Sequence, residues 1–180
     1  ALATAFAAKF GQDLGLETSV DAVGNVIIRK PATKGYEDRA GVVLQAHLDM
    51  VPQKTADKVH DFEKDPIEAY VQGDWVKADR TTLGGDDGIG VAIIMTLLQD
   101  DQIVHGPIEA LFTTDEEDGF DGVNGLSADV LQGRYFINVD WETEGSFAIG
   151  SAGGVYVDAT EKYAEDASPS DTVGYRVTLN

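Results

Sequence analysis

The 180-residue sequence contains no cysteine and few basic residues. Disulfide bonds and thiolate metal sites are therefore excluded, and His, Asp and Glu are the only strong metal ligands available. Lys and Arg together number 13 against 32 Asp and Glu, which gives a formal net charge of −19. A surface of this sign argues against binding to nucleic acid and to anionic membranes.

Long apolar runs are also missing. The longest, near residues 90–98, is too short to span a bilayer. The first residues lack the basic region and apolar core of a signal peptide, so we predict a cytoplasmic protein. The sequence opens inside a helical pattern and stops directly after a strand-like one, and we expect it to be the N-terminal part of a longer chain.

What is present alternates between strand and helix patterns, which predicts an α/β fold: a mixed, mostly parallel sheet flanked by helices. Strands are predicted at 25–29, 41–46, 74–78, 107–113, 134–139 and 145–149. Helices are predicted at 5–16, 88–100 and 123–131. Beyond residue 154 the pattern changes, so we predict one incomplete domain over 1–154 and the first strands of an α+β domain over 155–180.

Polar residues cluster where predicted strands end and where the helix 88–100 begins. They are His47 and Asp49 after strand 41–46, Asp86 before the helix, Glu116 and Glu117 after strand 107–113, and Asp140 after strand 134–139. Ligands of such sheets bind beyond the carboxyl ends of the strands. These side chains are therefore candidates for one common site.

Each cluster also has a structural explanation. His47 and Asp49 could form a hydrogen-bonded pair that closes the strand. Asp86 could cap the following helix. Glu116 and Glu117 could lie in a solvated loop, and Asp140 could form a turn.

Taken together, the clusters favour chemistry, because carboxylates brought to one edge repel each other unless a cation compensates them. Imidazole and carboxylate ligands suit zinc, manganese or cobalt. His47, Asp86, Glu117 and Asp140 supply ligands for up to two ions, with Asp86 able to bridge them. Glu116 is then free to act as a general base.

Other motif interpretations fit less well. Residues 84–90 are glycine-rich but lack the Lys-Ser/Thr of a phosphate loop and the spacing of a dinucleotide fingerprint. Residues 115–122 are acidic but lack the ligand spacing and closing glutamate of an EF-hand. A non-catalytic, acidic calcium-binding module remains the alternative from a different class.

Several long motifs resemble those of the aminoacyl-histidine dipeptidases, also called Xaa-His or cytosolic non-specific dipeptidases. They are VLQAHLDMVPQK at 43–54, HDF at 60–62, TTLGGDDGIG at 81–90, VHGP at 104–107, TDEE at 114–117 and INVD at 137–140. The resemblance runs from about residue 20 to the end of the sequence.

The resemblance implies a di-zinc metallopeptidase of the carboxypeptidase/aminoacylase-type clan that hydrolyses dipeptides, with Co²⁺ or Mn²⁺ as possible substitutes and a homodimeric intact enzyme. The implied roles are a bridging Asp86, His47 and Asp140 on one metal, Glu117 on the other, Glu116 as catalytic base and Asp49 as the carboxylate that orients His47. A cis peptide bond between Asp86 and Asp87 is implied as well.

Two positions depart from the family pattern: Trp141 and Gly85 stand where relatives usually carry a small residue and alanine, respectively. The resemblance also implies a last histidine ligand and a lid histidine, both expected outside these 180 residues. A same-clan hydrolase acting on N-acyl amino acids or longer peptides is the alternative enzyme. For the dipeptidase, which is the preferred interpretation, the expected substrate is a small peptide.

Overall fold

The computed structural model describes residues 2–151, 153–154, 157–162, 164, 167 and 170–178. The chain is divided into two compact units, Ala1–Ser146 and Phe147–Asn180. The first contains three helices: α1 (Leu2–Asp13), α2 (Gly85–Gln99) and α3 (Asp121–Asn124). Its strands are β1 (Glu17–Val20), β2 (Val26–Lys30), β3 (Val42–His47), β4 (Ala69–Gln72), β5 (Trp75–Ala78), β6 (Ile108–Thr113) and β7 (Tyr135–Asn138).

Five of these strands form a mixed sheet in the order β1-β2-β6-β3-β7. β2 runs antiparallel to β1 and β6, whereas β3 is parallel to both β6 and β7. The predicted mixed α/β fold is confirmed, and the three strands that precede the candidate residues are the parallel ones. Their carboxyl ends therefore meet at one edge of the sheet. β4 and β5 form a separate two-stranded hairpin.

The core is divided by the alternation of side chains along β2, β3 and β6. On one face, residues such as Ile28, Ala46 and Phe112 pack against α1 and α2 through Ala7 and Ile94. On the other face, a smaller cluster of Ile27, Val43 and Leu111 lies under the segment after α3. β3 and β6 are buried along nearly their whole length, as expected for central strands covered on both faces.

α1 packs on the sheet mainly through small residues, with Phe10 partly buried beside them. Phe6 is exposed, and the buried residues of α1 are Ala7, Ala8 and Gly11. A Cβ on Gly11 would lie 2.4 Å from Thr18 Oγ1. The helix therefore approaches the β1–β2 hairpin too closely for large side chains, and small residues form the contact.

Other sequence-based boundaries also need correction. The helix predicted at 88–100 begins earlier, at Gly85, and is buried on one face only, since Ile94 is fully buried while Ile89 is 64% exposed. The helix predicted over 123–131 is a single turn, α3, because Gly125 ends it. β1 and β4 were missed: both are short and largely exposed, so they lack an apolar signal.

The second unit has no helix or strand among its described residues between 147 and 178. The strand predicted at 145–149 does not form, and neither do strands over the described residues beyond 155. Val155, where the second domain was predicted to start, and Leu179 lie outside the described residues, and the boundary stays a prediction. Among the described residues, no helix has the length and apolarity needed to cross a membrane.

At the amino ends of the parallel strands, the buried carboxylate of Glu109 joins β2, β6 and the segment before β7. It accepts hydrogen bonds from Arg29 Nε at 3.0 Å and from the backbone N–H groups of Gln132 and Gly133 at 2.7 and 2.6 Å. Arg29 is also paired with Glu17. The two glutamates share one arginine but differ in exposure, 6% for Glu109 and 68% for Glu17.

We expect Glu109→Gln to lower the free energy of unfolding by about 3 kcal/mol, because it leaves the Arg29 charge without its buried partner. Glu17→Gln is the matched control and should cost less than about 1 kcal/mol, since exposed ion pairs contribute little. Urea denaturation of both variants measures the difference. Equal effects would contradict the importance assigned to the buried pair.

Candidate metal centre

The carboxyl ends of β3, β6 and β7 and the start of α2 bring the predicted residues together around one imidazole. His47, the last residue of β3, is 1% exposed. Its Nε2 lies 3.0 Å from Asp86 Oδ1, 3.8 Å from Asp140 Oδ1 and 3.9 Å from Glu116 Oε2. The convergence predicted from strand ends is therefore present.

Two groups of side chains have ligand atoms close enough to hold a metal ion. One consists of His47, Glu116 and Asp140, the other of His47, Asp86 and Glu117, and within each group the atoms lie within 4.8 Å of one another. Imidazole nitrogen and carboxylate oxygen suit zinc, manganese or cobalt. The geometry includes Glu116 in the first group, although the sequence predicted it as a base rather than a ligand.

Burial and neighbouring charges raise the pKa of two acidic members, Asp140 and Glu117. Burial, a hydrogen bond with Asp86 and the charge of Asp87 raise the pKa of Asp140 to about 7. Burial and the charge of Asp86 likewise raise the pKa of Glu117. In the metal-free protein, bound protons thus offset part of the repulsion among the carboxylates. A divalent cation can replace these protons.

The pKa of the His47 imidazole is also raised. Burial lowers the pKa of His47, but the hydrogen bond to Asp86 and the charges of Asp140 and Asp49 outweigh it, so that the pKa is raised. His47 Nδ1 lies 3.0 Å from the backbone carbonyl oxygen of Asp49, which can only accept a hydrogen bond. Nδ1 therefore carries a proton, and Nε2 is the atom directed at the carboxylates.

Asp49 contacts His47 differently from the prediction. The backbone carbonyl of Asp49 is the closest acceptor for Nδ1, and the carboxylate Oδ1 is 3.6 Å away. The carboxylate instead accepts the backbone N–H groups of Glu116 and Glu117, each at 3.1 Å. One aspartate thus contacts the imidazole through its main chain and holds the acidic loop through its side chain.

Asp87, which was not predicted as a site residue, joins α2 to β3. Its carboxylate accepts the backbone N–H of Gly90 at 3.1 Å and that of His47 at 3.2 Å. It is 3% exposed, and burial raises its pKa to about 6. The signal for this role in the sequence is the position of Asp87 at the start of a predicted helix, three residues before the backbone N–H group that it caps. Asp87, not Asp86, makes the capping contact.

The peptide bond between Asp86 and Asp87 is cis, as the resemblance implied. A Cβ on Gly90 would lie 2.2 Å from Asp87 Oδ1, so only glycine leaves room for the capping carboxylate. Asp86 is thereby free of capping and directed at His47. The structural alternative considered for Asp86 is wrong.

The long segment between β3 and α2 is tied together at its base. Thr82 Oγ1 donates to the carbonyl of Val51 at 2.7 Å, and the N–H of Thr82 donates to the carbonyl of Gln53 at 2.9 Å. These bonds bring the ends that carry Asp49 and Asp86 side by side. His60 and His105, in loops, belong to neither ligand group found among the described residues.

A cavity of about 220 Å³ opens beside the ligand groups. Asp86 and Asp140 line it together with the apolar side chains of Ile89, Val139 and Trp141. Trp141 Nε1 donates a hydrogen bond to Ser146 Oγ at 2.6 Å. The indole, which departs from the family pattern, therefore forms part of the wall next to two candidate ligands.

Comparison with known proteins identifies relatives of this chain. The chain is 49% identical over 170 residues to the cytosol non-specific dipeptidase of Escherichia coli, covering 94% of this chain and 35% of the relative. The crystal structure of aminoacylhistidine dipeptidase from Vibrio alginolyticus matches with a TM-score of 0.76 and 49% identity, over 79% of this chain and 29% of the other. The chain belongs to the aminoacyl-histidine dipeptidase family.

A more distant structural relative of this dipeptidase-family chain is the aminopeptidase PepT from Bacillus cereus. It matches with a TM-score of 0.62 and 25% identity, over 77% of this chain and 37% of that one. No protein-family model matches the sequence. The chain spans about a third of the length of its dipeptidase relatives.

The raised pKa values predict how stability depends on pH. Protonated Asp140 stabilises the metal-free protein fully below its ordinary pKa of 3.8, and this contribution is lost as the pH rises through about 7. Asp87 acts in the same direction. Calorimetry of the full-length protein should show the rise in Tm on adding zinc to be larger at pH 8 than at pH 5, and Asp140→Asn should reduce that difference. A shift independent of pH would contradict the assignment.

The contacts of Asp49 predict a separation of effects. Asp49→Asn keeps the backbone carbonyl at His47 Nδ1 but cannot accept both N–H groups of the acidic loop. We expect activity to fall about 10–100-fold, as is typical for outer groups of metal sites, while zinc content stays near that of the unaltered protein. Metal analysis together with peptidase assays measures both. If Asp49→Asn loses zinc and the turnover per bound zinc ion is unchanged, the role assigned to the Asp49 side chain is wrong.

Proposed function

We propose that this chain carries most of the metal-binding edge of a dipeptidase that hydrolyses Xaa-His and related dipeptides. The observation that carries the proposal is the convergence of three carboxylates within 4 Å of the buried His47 Nε2. Relatives named as dipeptidases share 49% of their residues with it over the aligned segment.

Zinc is the proposed metal, two ions per complete site, with Co²⁺ or Mn²⁺ as substitutes. Asp86 would bridge the ions, His47 and Asp140 would hold one, and Glu117 would hold the other. The donor set and the raised pKa values of Asp140 and Glu117 support cations at this edge. Bound divalent ions supply Lewis acidity toward a peptide carbonyl and toward water.

Glu116 is the proposed general base. Its Oε2 lies 3.9 Å from His47 Nε2, and its main chain is held by Asp49. The carboxylate accepts a proton from the water that attacks the peptide carbonyl. When the C–N bond breaks, it donates that proton to the departing amine. Asp49 contributes by fixing both the imidazole and the loop that carries the base.

The environment of the protein and its assembly are also proposals. The E. coli relative is named a cytosol enzyme, which supports a cytoplasmic location. A homodimer and a lid domain beginning in residues 155–180 follow from the family resemblance alone. The alternative substrates, N-acyl amino acids or longer peptides, are less favoured because the relatives at 49% identity are named for dipeptides.

Replacing Glu116 with Ala in the full-length enzyme should lower kcat about 10²–10⁴-fold while both metal ions remain bound. Asp118→Asn, in the same acidic loop, is the matched control and should leave kcat and metal content unchanged. The assay uses β-alanyl-histidine, other dipeptides and N-acyl amino acids, with elemental analysis of the same samples.

The outcomes separate the candidate functions. Full activity of Glu116→Ala would exclude the base role, and loss of one ion would identify Glu116 as a ligand instead. Calcium in place of zinc, with no hydrolysis of any substrate, would favour the binding module. Faster turnover of N-acyl amino acids than of dipeptides would favour the alternative hydrolase.

A further inference from the structure

A row of side-chain hydrogen bonds joins the three parallel strands just before their carboxyl ends. Gln45 Nε2 in β3 donates to Thr113 Oγ1 in β6 at 3.1 Å, and Asn138 Nδ2 in β7 donates to Gln45 Oε1 at 2.7 Å. Asn138 Oδ1 then accepts the backbone N–H of Asp140 at 3.2 Å. We call these three side chains, Thr113, Gln45 and Asn138, the amide ladder.

The backbone N–H of Asp140 sets the orientation of the ladder, because it can only donate a hydrogen bond. The oxygen of Asn138 therefore faces Asp140, and the amide nitrogen of Asn138 faces Gln45 Oε1. The amide nitrogen of Gln45 is then left to donate to Thr113 Oγ1. The direction set at the main chain of a candidate metal ligand thus extends to β6.

Two of the three side chains of the ladder are buried, whereas Asn138 lies on the exposed edge strand β7. Gln45 is 8% exposed and Thr113 is 1% exposed, and Gln45 follows Val43 on the face that carries the smaller apolar cluster. The backbone of β3 is already paired with both neighbouring strands. The polar side chains there form hydrogen bonds with one another and are not needed for the backbone pairing of the sheet. An apolar pair at these positions would pack without the free-energy cost of burying amides.

The register places the ladder directly below the candidate metal centre. Gln45 and Asn138 stand opposite each other in the β3–β7 pairing. Gln45 precedes His47 by two residues, and because side chains alternate along a strand the two lie on the same face. Asn138 likewise precedes Asp140 by two residues. The ladder thus connects the strand that ends in the imidazole to the turn that presents Asp140.

We propose that Gln45 and Asn138 are positioning residues that fix the main chain of Asp140 relative to His47, and with it the metal ion that these two residues share. The inference rests on the proposed function. β7 is the exposed edge strand of the sheet, and the turn after it is otherwise held by the backbone pairing with β3, by the packing of Val139 on the core and by the hydrogen bond between Asp140 and Asp86. Without the ladder, the main chain at Asp140 loses one of these restraints and can shift relative to His47.

The test compares Asn138→Leu and Gln45→Met in the full-length protein with Gln102→Met, an exposed glutamine in the loop before β6, as matched control. Chelator competition measures the affinity of each zinc ion, and the d–d spectrum of the Co²⁺ form reports the ligand geometry. We expect one ion to bind about 10–100-fold more weakly in both ladder variants, with an altered Co²⁺ spectrum. The second ion and the Tm in chelator should change little.

Conservative variants separate positioning from simple destabilisation. Asn138→Asp and the uncharged Asn138→Ser both keep an acceptor for the N–H of Asp140 but lose the amide donor to Gln45, so they should recover part of the lost affinity. Wild-type affinity for both ions in Asn138→Leu, or no recovery in either conservative variant, would overturn the inference. If the unaltered protein binds no divalent metal, the proposed function fails instead, so the two failures are distinguishable.

Discussion

Electrostatic repulsion among carboxylates at one sheet edge is the constraint on which the rest of this structure depends. Asp86, Glu116, Glu117 and Asp140 surround a single buried imidazole, and no Lys or Arg forms an ion pair with them in the described part of the chain. At the opposite end of the sheet, the buried Glu109 is neutralised by Arg29. The fold can supply a basic partner for a buried carboxylate and does not supply one at the candidate metal centre.

Two further aspartates make this arrangement possible without coordinating anything themselves. Asp49 and Asp87 each accept two backbone N–H groups. Asp49 joins the end of β3 to the acidic loop after β6, and Asp87 joins the start of α2 to β3. These carboxylates are satisfied by the main chain, so the remaining ones are left for a cation. Whether a carboxylate at this edge has a structural role or can bind a cation therefore depends on whether backbone N–H groups donate hydrogen bonds to it.

Much of this organisation could be predicted from the sequence. The strands β2, β3, β6 and β7 were located within one residue at each end, because their apolar runs are bounded by turn residues and polar clusters. The convergence of His47, Asp86, Glu117 and Asp140 followed from the rule that parallel strands meet at their carboxyl ends. The α1 contact was not predictable, since it depends on how closely the helix approaches the hairpin at Gly11.

The amino-acid sequence by itself determined the donor set, the absence of thiolates, and the segments that carry the acidic residues. These follow from residue identity and from the periodicity of apolar side chains, which are local properties. Tertiary structure alone decided that Asp87 rather than Asp86 makes the capping contact, and that Asp49 holds the acidic loop with its side chain. Those roles depend on which backbone N–H groups lie within about 3 Å of a given carboxylate. That distance is set by packing between segments far apart in the chain.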